Sequence, residues 1–335
     1  MAKKAKKIKD TDYLFLSARL RAMENRLLTS ARMERMIDAS TAADAAKVLG
    51  EIGYSDFSPT SDQELSQALA AEREKVFEEL YQFVPDRAVV DVFKVKYDYH
   101  NVKAVLKSLA TGAETGRLLV DAGRVSAEKL AKALEEGDYA ALPEAMQAPC
   151  REAQEVLSAT GDPQKSDFIL DAAYFREMLQ AAEDTGSGLL RRYVQATIDA
   201  ANLRSAVRTV RMHKGGDFLR QVLFTGGIVP VDRVMAAALG GSLEDAFRAS
   251  GLRAAAELGA AAIRGGSLTA FEKACDDAVT ACAAQAKTVP FGVEVVIGYL
   301  VAKEIEFTAV RVIMAGRMAG ISGETIRERL RESYV

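Results

Sequence analysis

Side chains able to act as nucleophiles, metal ligands or acid–base catalysts are few in this sequence of 335 residues. Only two histidines occur, His100 and His213, too few for most imidazole-based metal sites. His100 lies in an apolar helical segment, which favours a packed or hydrogen-bonded role. The sequence has no Gly-x-x-x-x-Gly-Lys-Ser/Thr phosphate loop and no His-Glu-x-x-His motif. It therefore predicts a protein that is not an enzyme, with no cofactor, no metal and no small-molecule substrate.

Two further groups of reactive residues favour structural roles. Cys275 and Cys282 share one face of a predicted helix, which predicts small packed side chains rather than a redox or metal pair. Asp276 and Asp277 resemble part of the magnesium motif of all-helical prenyl-transferring enzymes, but the next three residues supply no third acid. A small helical enzyme is therefore the least favoured class of protein.

Charge recurs in a fixed arrangement on three apolar helical segments. In each segment an acid is followed five residues later by a base. The acids are separated by 101 and then by 107 residues, at Asp98, Asp199 and Glu306. The corresponding bases are Lys103, Arg204 and Arg311.

Asn101 and Asn202 occupy the same place in the first two of these segments. Asn is mildly disfavoured inside a helix, so a repeated Asn there needs a hydrogen-bonding partner. One interpretation is a local polar cluster that ties neighbouring helices together. The other is a polar wall that contacts another protein of an assembly, and the residues alone leave both open.

A second sequence match supports an internal repeat. Leu118-Leu119 followed by Gly123 and Val125 matches Val222-Leu223 followed by Gly227 and Val229, at an offset of 104 residues. Two matches at nearly the same offset predict three degenerate units of about 100 residues, each ending on an acid-to-base helix. The predicted units are residues 1–112, 113–215 and 216–335. Their period is longer than that of helical solenoids, whose units usually have about 30 to 50 residues.

Composition predicts an all-α fold. Hydrophobic residues make up 49 % of the chain, aromatic residues only 7 %, and there are seven prolines and no Trp. Leu16, Leu20, Met23 and Leu27 recur at helical spacing, and Ser242 with Asp245 resembles a capping box. A net charge of −3 argues against a general nucleic-acid binder.

The number of cysteines and the lack of a long apolar segment predict a cytoplasmic protein. Three cysteines exclude a disulfide framework, and no apolar run is long enough to span a membrane. The lysine-rich start (Lys3, Lys4, Lys6, Lys7 and Lys9) is not followed by a signal-peptide core. It favours a solvated tail, with attraction to an anionic membrane surface as the weaker alternative.

Several stretches together resemble the C subunits of bacterial and archaeal A/V-type ATPases, the counterparts of the d subunit of eukaryotic V-ATPases. The resemblance covers nearly the whole chain and depends on the order of its parts. The stretches are 13–23 with Leu27-Leu28, 99–103, 170–175, 199–204, 290–294, 299–304 with Val310-Arg311, and 326–330 with Tyr334. Ala309 departs from the pattern, because many members have Asn there.

The resemblance implies three similar helical units around a pseudo-threefold axis, forming a funnel. Such a protein is non-catalytic and lies on the cytoplasmic face of the membrane rotor ring of proteolipid subunits. The central shaft, made of the D and F subunits, inserts into the funnel, so that torque passes between ion transport and ATP synthesis or hydrolysis. The alternative is a helical-repeat scaffold that binds an unrelated protein partner.

A polar inner wall toward the shaft is the expected functional site. The residues assigned to this shaft-facing wall are Arg19, Arg21, Asn101, Lys103, Asn202, Arg204 and Arg311.

Overall fold

All regular secondary structure in the computed structural model, which describes residues 8–112 and 118–334, is helical. This confirms the predicted all-α class. None of the helices in these two ranges is both long enough and apolar enough to cross a membrane.

Helices follow one another along the whole described chain. In chain order, the first eight are α1 (Leu14–Glu24), α2 (Ser30–Asp38), α3 (Ala42–Gly50), α4 (Asp62–Phe83), α5 (Ala88–Thr111), α6 (Ala127–Glu136), α7 (Glu144–Thr160) and α8 (Pro163–Asp184). The others are α9 (Gly188–Arg211), α10 (Gly216–Gln221), α11 (Val231–Ala238), α12 (Leu243–Ala246), α13 (Arg253–Ile263), α14 (Leu268–Ala283), α15 (Val293–Met318) and α16 (Gly323–Arg329). Short 3₁₀ turns cover Asp10–Tyr13, Tyr139–Ala141, Arg248–Ser250 and Ala284–Thr288.

Side-chain caps define where several helices begin. Thr29, Thr41 and Ser61 each accept a hydrogen bond from the backbone N–H three residues on, at α2, α3 and α4. Ser242 does the same for Asp245 at 3.1 Å, which confirms the N-cap predicted from the sequence. Helix α1 ends at Glu24, so Leu27 packs from the following loop and not from the helix face that the spacing predicted.

The chain forms two compact units. One comprises residues 1–90, 183–190 and 280–335, and the other comprises residues 91–182 and 191–279. In the first unit, apolar residues of α15 pack with α2, α3 and α4 in one hydrophobic cluster. The beginning and the end of the chain therefore share a core.

The second unit contains two hydrophobic clusters of similar construction. In one, Val95, Val102 and Leu106 of α5 pack with residues of α6, α7 and α8. In the other, Leu203 and Val207 of α9 pack with residues of α10 to α14. Each long helix thus packs with segments that follow it in sequence. The boundaries 1–112, 113–215 and 216–335 stay a prediction, and these clusters extend across them.

Candidate functional site

Each of the three acids is followed, at the same sequence spacing, by a residue whose backbone is left-handed. This residue lies just beyond the end of the helix that carries the acid. Gly112 (φ 70°), His213 (φ 54°) and Gly320 (φ 67°) follow Asp98, Asp199 and Glu306 in this way. In the left-handed conformation the chain leaves the helix axis, and glycine adopts it without a Cβ penalty. The recurrence of the acids in the sequence therefore corresponds to equivalent positions on α5, α9 and α15.

The carboxylates of Asp98 and Asp199 are fully buried, and each binds the backbone of a following loop. Asp98 Oδ1 accepts hydrogen bonds from the N–H groups of Arg124 and Val125 at 2.9 and 3.2 Å. Asp199 accepts them from Ile228 and Val229, both at 3.1 Å. A buried carboxylate needs hydrogen-bond donors, so the two acids hold these loop segments beside α5 and α9.

The two predicted asparagines bind the same loops a few residues earlier. Asn101 donates to the carbonyl oxygen of Val120 at 2.8 Å and accepts from its N–H at 2.9 Å. Asn202 makes both bonds with Phe224, each at 2.8 Å. Both Asn side chains are fully buried. The geometry therefore supports the local polar cluster, because these amides already have partners within their own chain.

Glycine allows each carboxylate to approach its loop. A Cβ on Gly123 would lie 2.1 Å from Asp98 Oδ1, and a Cβ on Gly227 would lie 2.1 Å from Asp199 Oδ1. Atoms cannot pack this closely, so no other residue fits at these positions without displacing the acid. The predicted match of Gly123 with Gly227 thus has a steric cause.

Helix α15 makes a related contact with different side chains. Glu306 accepts from the N–H of Leu28 at 2.7 Å and from the Tyr54 hydroxyl at 2.6 Å, and it pairs with Lys303. Burial and the neighbouring Glu306 raise the pKa of Tyr54 well above its ordinary value. At the position of the two asparagines, Ala309 lies in the hydrophobic cluster and has no side-chain amide to bind a loop.

Two of the three recurring bases, Lys103 and Arg204, pair with acids of their own unit. Lys103 of α5 pairs with Asp171 of α8, and Arg204 of α9 binds Glu272 of α14 at 2.7 Å. Both pairs join residues that are 68 positions apart. Arg204 also pairs with Asp276. These ion pairs connect the long helix of each cluster to the last long helix that packs on it.

The other predicted wall residues lie in the first unit, Arg19 and Arg21 on α1 and Arg311 on α15. Arg19 of α1 binds Glu79 of α4 at 3.0 Å, and its side chain is exposed. Arg21 pairs with Glu24 and donates to the carbonyl oxygens of Ala286 and Val289 at 2.7 and 2.6 Å.

Arg311 is an exposed base of α15. Its guanidinium donates to the Ser66 hydroxyl at 3.0 Å. It therefore differs from Lys103 and Arg204, whose charges are neutralised by carboxylates.

Burial affects the two aspartates unequally. Burial raises the pKa of Asp98, but the guanidinium of Arg124, 2.7 Å from Oδ2, opposes the rise. At Asp199 burial raises the pKa to about 6, and only the hydrogen bonds from Val229 and Ile228 oppose it. Across the described part of the chain, no cation pairs with Asp199. The reason is that Ile228 occupies the place that Arg124 has in the first loop.

A buried polar network around Arg124 was not identified from the sequence. Arg124 donates to Glu177 Oε1 at 2.6 Å, and the Tyr99 hydroxyl donates to Glu177 Oε2 at 2.8 Å. The only sequence signal was the position of Arg124 directly after the matched Gly123. A charged residue there is otherwise typical of an exposed loop.

The remaining sequence predictions have the following outcomes. His100 makes a hydrogen bond with the Leu118 carbonyl oxygen at 3.0 Å, which confirms the bonded role. Cys275 is buried, and burial raises the pKa of its thiol to about 12, whereas Cys282 is half-buried. Asp276 belongs to the Arg204 ion pair. Lys3, Lys4, Lys6 and Lys7 lie outside the described residues.

The side chains at these sites bind the backbone of their own chain. Within residues 8–112 and 118–334, no three His, Cys, Asp or Glu side chains are grouped so that they could hold a metal ion. The buried acids and amides bind loop peptides, and such hydrogen bonds hold each loop against its helix.

Comparisons with known proteins agree along nearly the full length. The family model described as ATP synthase (C/AC39) subunit matches residues 16–329. The C subunit of the V-type sodium ATPase of Enterococcus hirae is 26 % identical over 328 residues, covering 96 % of this chain and 99 % of the relative. The C subunit of the V-type ATP synthase of Thermus thermophilus is 27 % identical, with 92 % and 94 % covered. The C subunit of the A-type ATP synthase of Methanocaldococcus jannaschii is 26 % identical, with 95 % and 86 % covered. The chain therefore belongs to the ATP synthase (C/AC39) subunit family, a family of accessory, non-catalytic subunits of V/A-type ATPases.

Proposed function

We propose that the chain is the central-stalk subunit that couples the D–F shaft to the proteolipid rotor ring of a V/A-type rotary ATPase. It lies on the cytoplasmic face of the membrane and transmits torque between ion transport and ATP synthesis or hydrolysis. Three similar helical units arranged as a funnel around a pseudo-threefold axis are part of this proposal. Family membership supports it, together with relatives named as C subunits of a sodium ATPase and of ATP synthases.

Torque transmission needs a stiff connection. Moving one charge across a membrane supplies about 2.3 kcal/mol per 100 mV. Several ions serve one ATP, so energy on the order of 10 kcal/mol passes through the coupling subunit. The observation that carries the proposal is the repeated clamp, in which the buried side chains of Asp98 with Asn101 and of Asp199 with Asn202 bind following loops through hydrogen bonds. Such bonds and dense cores resist deformation.

The test is binding of the purified full-length chain to two isolated partners. One is the detergent-solubilised proteolipid ring, and the other is the D–F shaft. The proposal expects stable capture by both. Binding to neither would refute it and would favour a scaffold for an unrelated partner.

The shaft-facing wall is part of the proposal. Variants that test it must change the charge of the wall without leaving a carboxylate of the same chain unpaired. Reversing Lys103 alone would place a negative charge beside Asp171 and disturb the fold. Exchanging the pair, with Lys103→Asp and Asp171→Lys, keeps the attraction but changes the charge pattern. Arg311→Glu is the simpler reversal, because its partner Ser66 is neutral.

We expect these reversals to weaken shaft binding by about tenfold, or about 1.4 kcal/mol, which is the low end of the coupling energies of close charge pairs at an interface. The matched control exchanges the exposed surface pair Arg35 and Glu51, which lies outside the predicted wall. If both wall variants bound the shaft as tightly as wild type, the assignment of the wall would be wrong, but the proposed coupling function would not be contradicted. Asn101 and Asn202 are enclosed and are not suitable for this test.

A further inference from the structure

A groove of about 330 Å³ lies in the second unit, where the last turns of α9, α11 and α13 come together. Val210, Ala238 and Ile263 form part of its apolar wall, and Gly240 and Gly241 add backbone without side chains. We call it the α11 groove. Its volume reaches the lower end of the range of ligand sites in proteins.

The first cluster of the same unit has a position equivalent to the groove. Helices α6 and α11 begin 104 residues apart, which is also the offset of the second sequence match. At this offset Leu130 corresponds to Val234, and both are fully buried. Leu134 corresponds to Ala238 in the same way. Leu134 is fully buried, whereas Ala238 is half-buried and lines the groove.

The size of one side chain explains why the groove is open. The isobutyl group of Leu134 packs in its hydrophobic cluster, whereas the methyl group of Ala238 leaves the equivalent volume unfilled. Helix bundles are otherwise close-packed, and an unfilled apolar volume lowers stability. The second cluster therefore has room for a branched aliphatic side chain that the described residues do not supply.

Exposed apolar side chains lie next to the groove residues in sequence. Leu239 lies between two lining residues and is 56 % exposed. Met212 follows the lining residue Val210 by two positions and is 52 % exposed. Exposed apolar side chains around an apolar cleft are typical of a surface that another protein covers.

Two opposite charges line the groove, those of Glu244 and Arg264. Within residues 8–112 and 118–334, neither side chain forms an ion pair or a side-chain hydrogen bond. A lipid with one anionic headgroup would use the guanidinium but would be repelled by the carboxylate. A polypeptide segment can offer a base to Glu244 and an acid to Arg264, so charge complementarity favours a protein over a lipid.

We propose that the α11 groove binds a leucine or isoleucine side chain of a different protein. A basic residue of the same partner segment lies beside Glu244, and an acidic residue lies beside Arg264. The aliphatic side chain takes the place that Leu134 has in the first cluster. This inference goes beyond the proposed coupling function, and its test uses neither ring nor shaft.

The probes are two capped tripeptides, acetyl-Lys-Leu-Glu-amide and acetyl-Glu-Leu-Lys-amide, which present the charges in both orders. Two-dimensional NMR spectra of the full-length chain report binding through the amide resonances of Ala238, Gly240 and Ile263. We expect one of the two peptides to bind with a Kd of about 1 mM. The same peptide with Ala in place of Leu should bind at least about tenfold more weakly, because it removes less apolar surface from water.

Filling the groove from within tests where the peptide binds. Ala238→Leu supplies the side chain that Leu134 supplies in the first cluster. It is expected to weaken peptide binding by at least about tenfold without lowering the melting temperature. The matched control is Ala236→Leu, which adds the same side chain at an exposed position of α11 outside the groove. The control is expected to bind the peptide like wild type, and both variants should keep the wild-type circular dichroism spectrum.

A second variant separates the charges from the apolar anchor. Glu244→Gln with Arg264→Gln is expected to bind the charged peptide no more tightly than acetyl-Gln-Leu-Gln-amide, whereas wild type should prefer the charged peptide. If the double variant kept this preference, the assignment of the two charges would be wrong.

Absence of shifts with both leucine peptides at about 10 mM would overturn the proposal, as would wild-type binding by Ala238→Leu. If free leucine bound as tightly as the better peptide, the groove would be a small-molecule site and the protein partner would be wrong. A wild-type dimer that Ala238→Leu dissociates would make a second copy of the chain the occupant, which also contradicts the proposal. If the chain binds neither ring nor shaft but binds the leucine peptide as expected, the coupling function fails and this inference stands.

Discussion

The side-chain amide of Asn101 exchanges two hydrogen bonds with the backbone of Val120, donating to its carbonyl oxygen at 2.8 Å and accepting from its N–H at 2.9 Å. The backbone of the loop after α5 therefore has the two hydrogen bonds that a neighbouring β-strand would otherwise supply. Asn202 binds Phe224 in the same way. Each of the two asparagines thus fixes one residue of a loop against its helix, and the neighbouring aspartate binds the same loop a few residues later.

We expect Asn101→Ala and Asn202→Ala each to destabilise the protein by about 1 to 2 kcal/mol, because each leaves the N–H and the carbonyl oxygen of a half-buried loop residue without their partners. The measurement is the free energy of unfolding from urea titration, followed by circular dichroism. The control is Asn25→Ala, an exposed side chain, which should stay within about 0.5 kcal/mol of wild type. An equal effect of all three changes would contradict the clamp.

Gly123→Ala and Gly227→Ala should each lower the free energy of unfolding by at least about 2 kcal/mol, because the new Cβ would lie 2.1 Å from a buried carboxylate oxygen. The melting temperature of each variant measures this loss.

Gly50→Ala in α3 is the matched control. No atom lies within 4 Å of its added Cβ, and Ala is the better helix former by about 1 kcal/mol. We therefore expect this variant to be as stable as wild type or more stable. Loss of stability at Gly50 equal to that at Gly227 would argue against the close approach of Asp199.

Asp199 should make stability depend on pH in a direction unusual for an aspartate. Its pKa is raised from 3.8 to about 6 in the folded state, so folding favours the protonated form. The associated stability is fully present below about pH 4 and is lost as the pH rises through about 6. The shift corresponds to at most about 3 kcal/mol.

The measurement compares wild type with Asp199→Asn at several pH values. The Asn variant is expected to lose more stability relative to wild type near pH 4 than near pH 7. Ile228→Arg would supply a cation where Arg124 lies beside Asp98, and it should reduce the pH dependence. A constant difference between wild type and Asp199→Asn across this range would show that the carboxyl pKa is not raised.

His213→Gly should stabilise the protein by about 0.5 kcal/mol. His213 has φ 54°, a conformation that costs about 1 kcal/mol for a residue with a Cβ. Glycine avoids this cost, but its greater chain entropy in the unfolded state offsets about half of the stabilisation. Gly320→Ala is the opposite change at the equivalent place and should destabilise by about 1 kcal/mol, since open space surrounds its Cβ and only φ is unfavourable. Thermal unfolding of both variants measures the two changes in stability. If both variants were stabilised, or both destabilised, positions 213 and 320 would not be equivalent.

The sequence by itself determined the helical class and the recurring positions. Helix propensity, capping and apolar spacing act over a few residues, so composition and periodicity were sufficient for them. The recurrence of an acid followed by a base identified equivalent places on α5, α9 and α15. The second sequence match also identified Gly123 and Gly227 as equivalent, without the reason for it.

Only the tertiary structure decided which groups meet. Glu306 binds the N–H of Leu28 across 278 residues of sequence, and spacing alone contains no information about such a distance. Lys103 and Arg204 look like free charges on a helix, yet each pairs with an acid 68 residues away. Whether a polar side chain serves its own fold or a partner depends on burial, and burial arises only when distant helices pack.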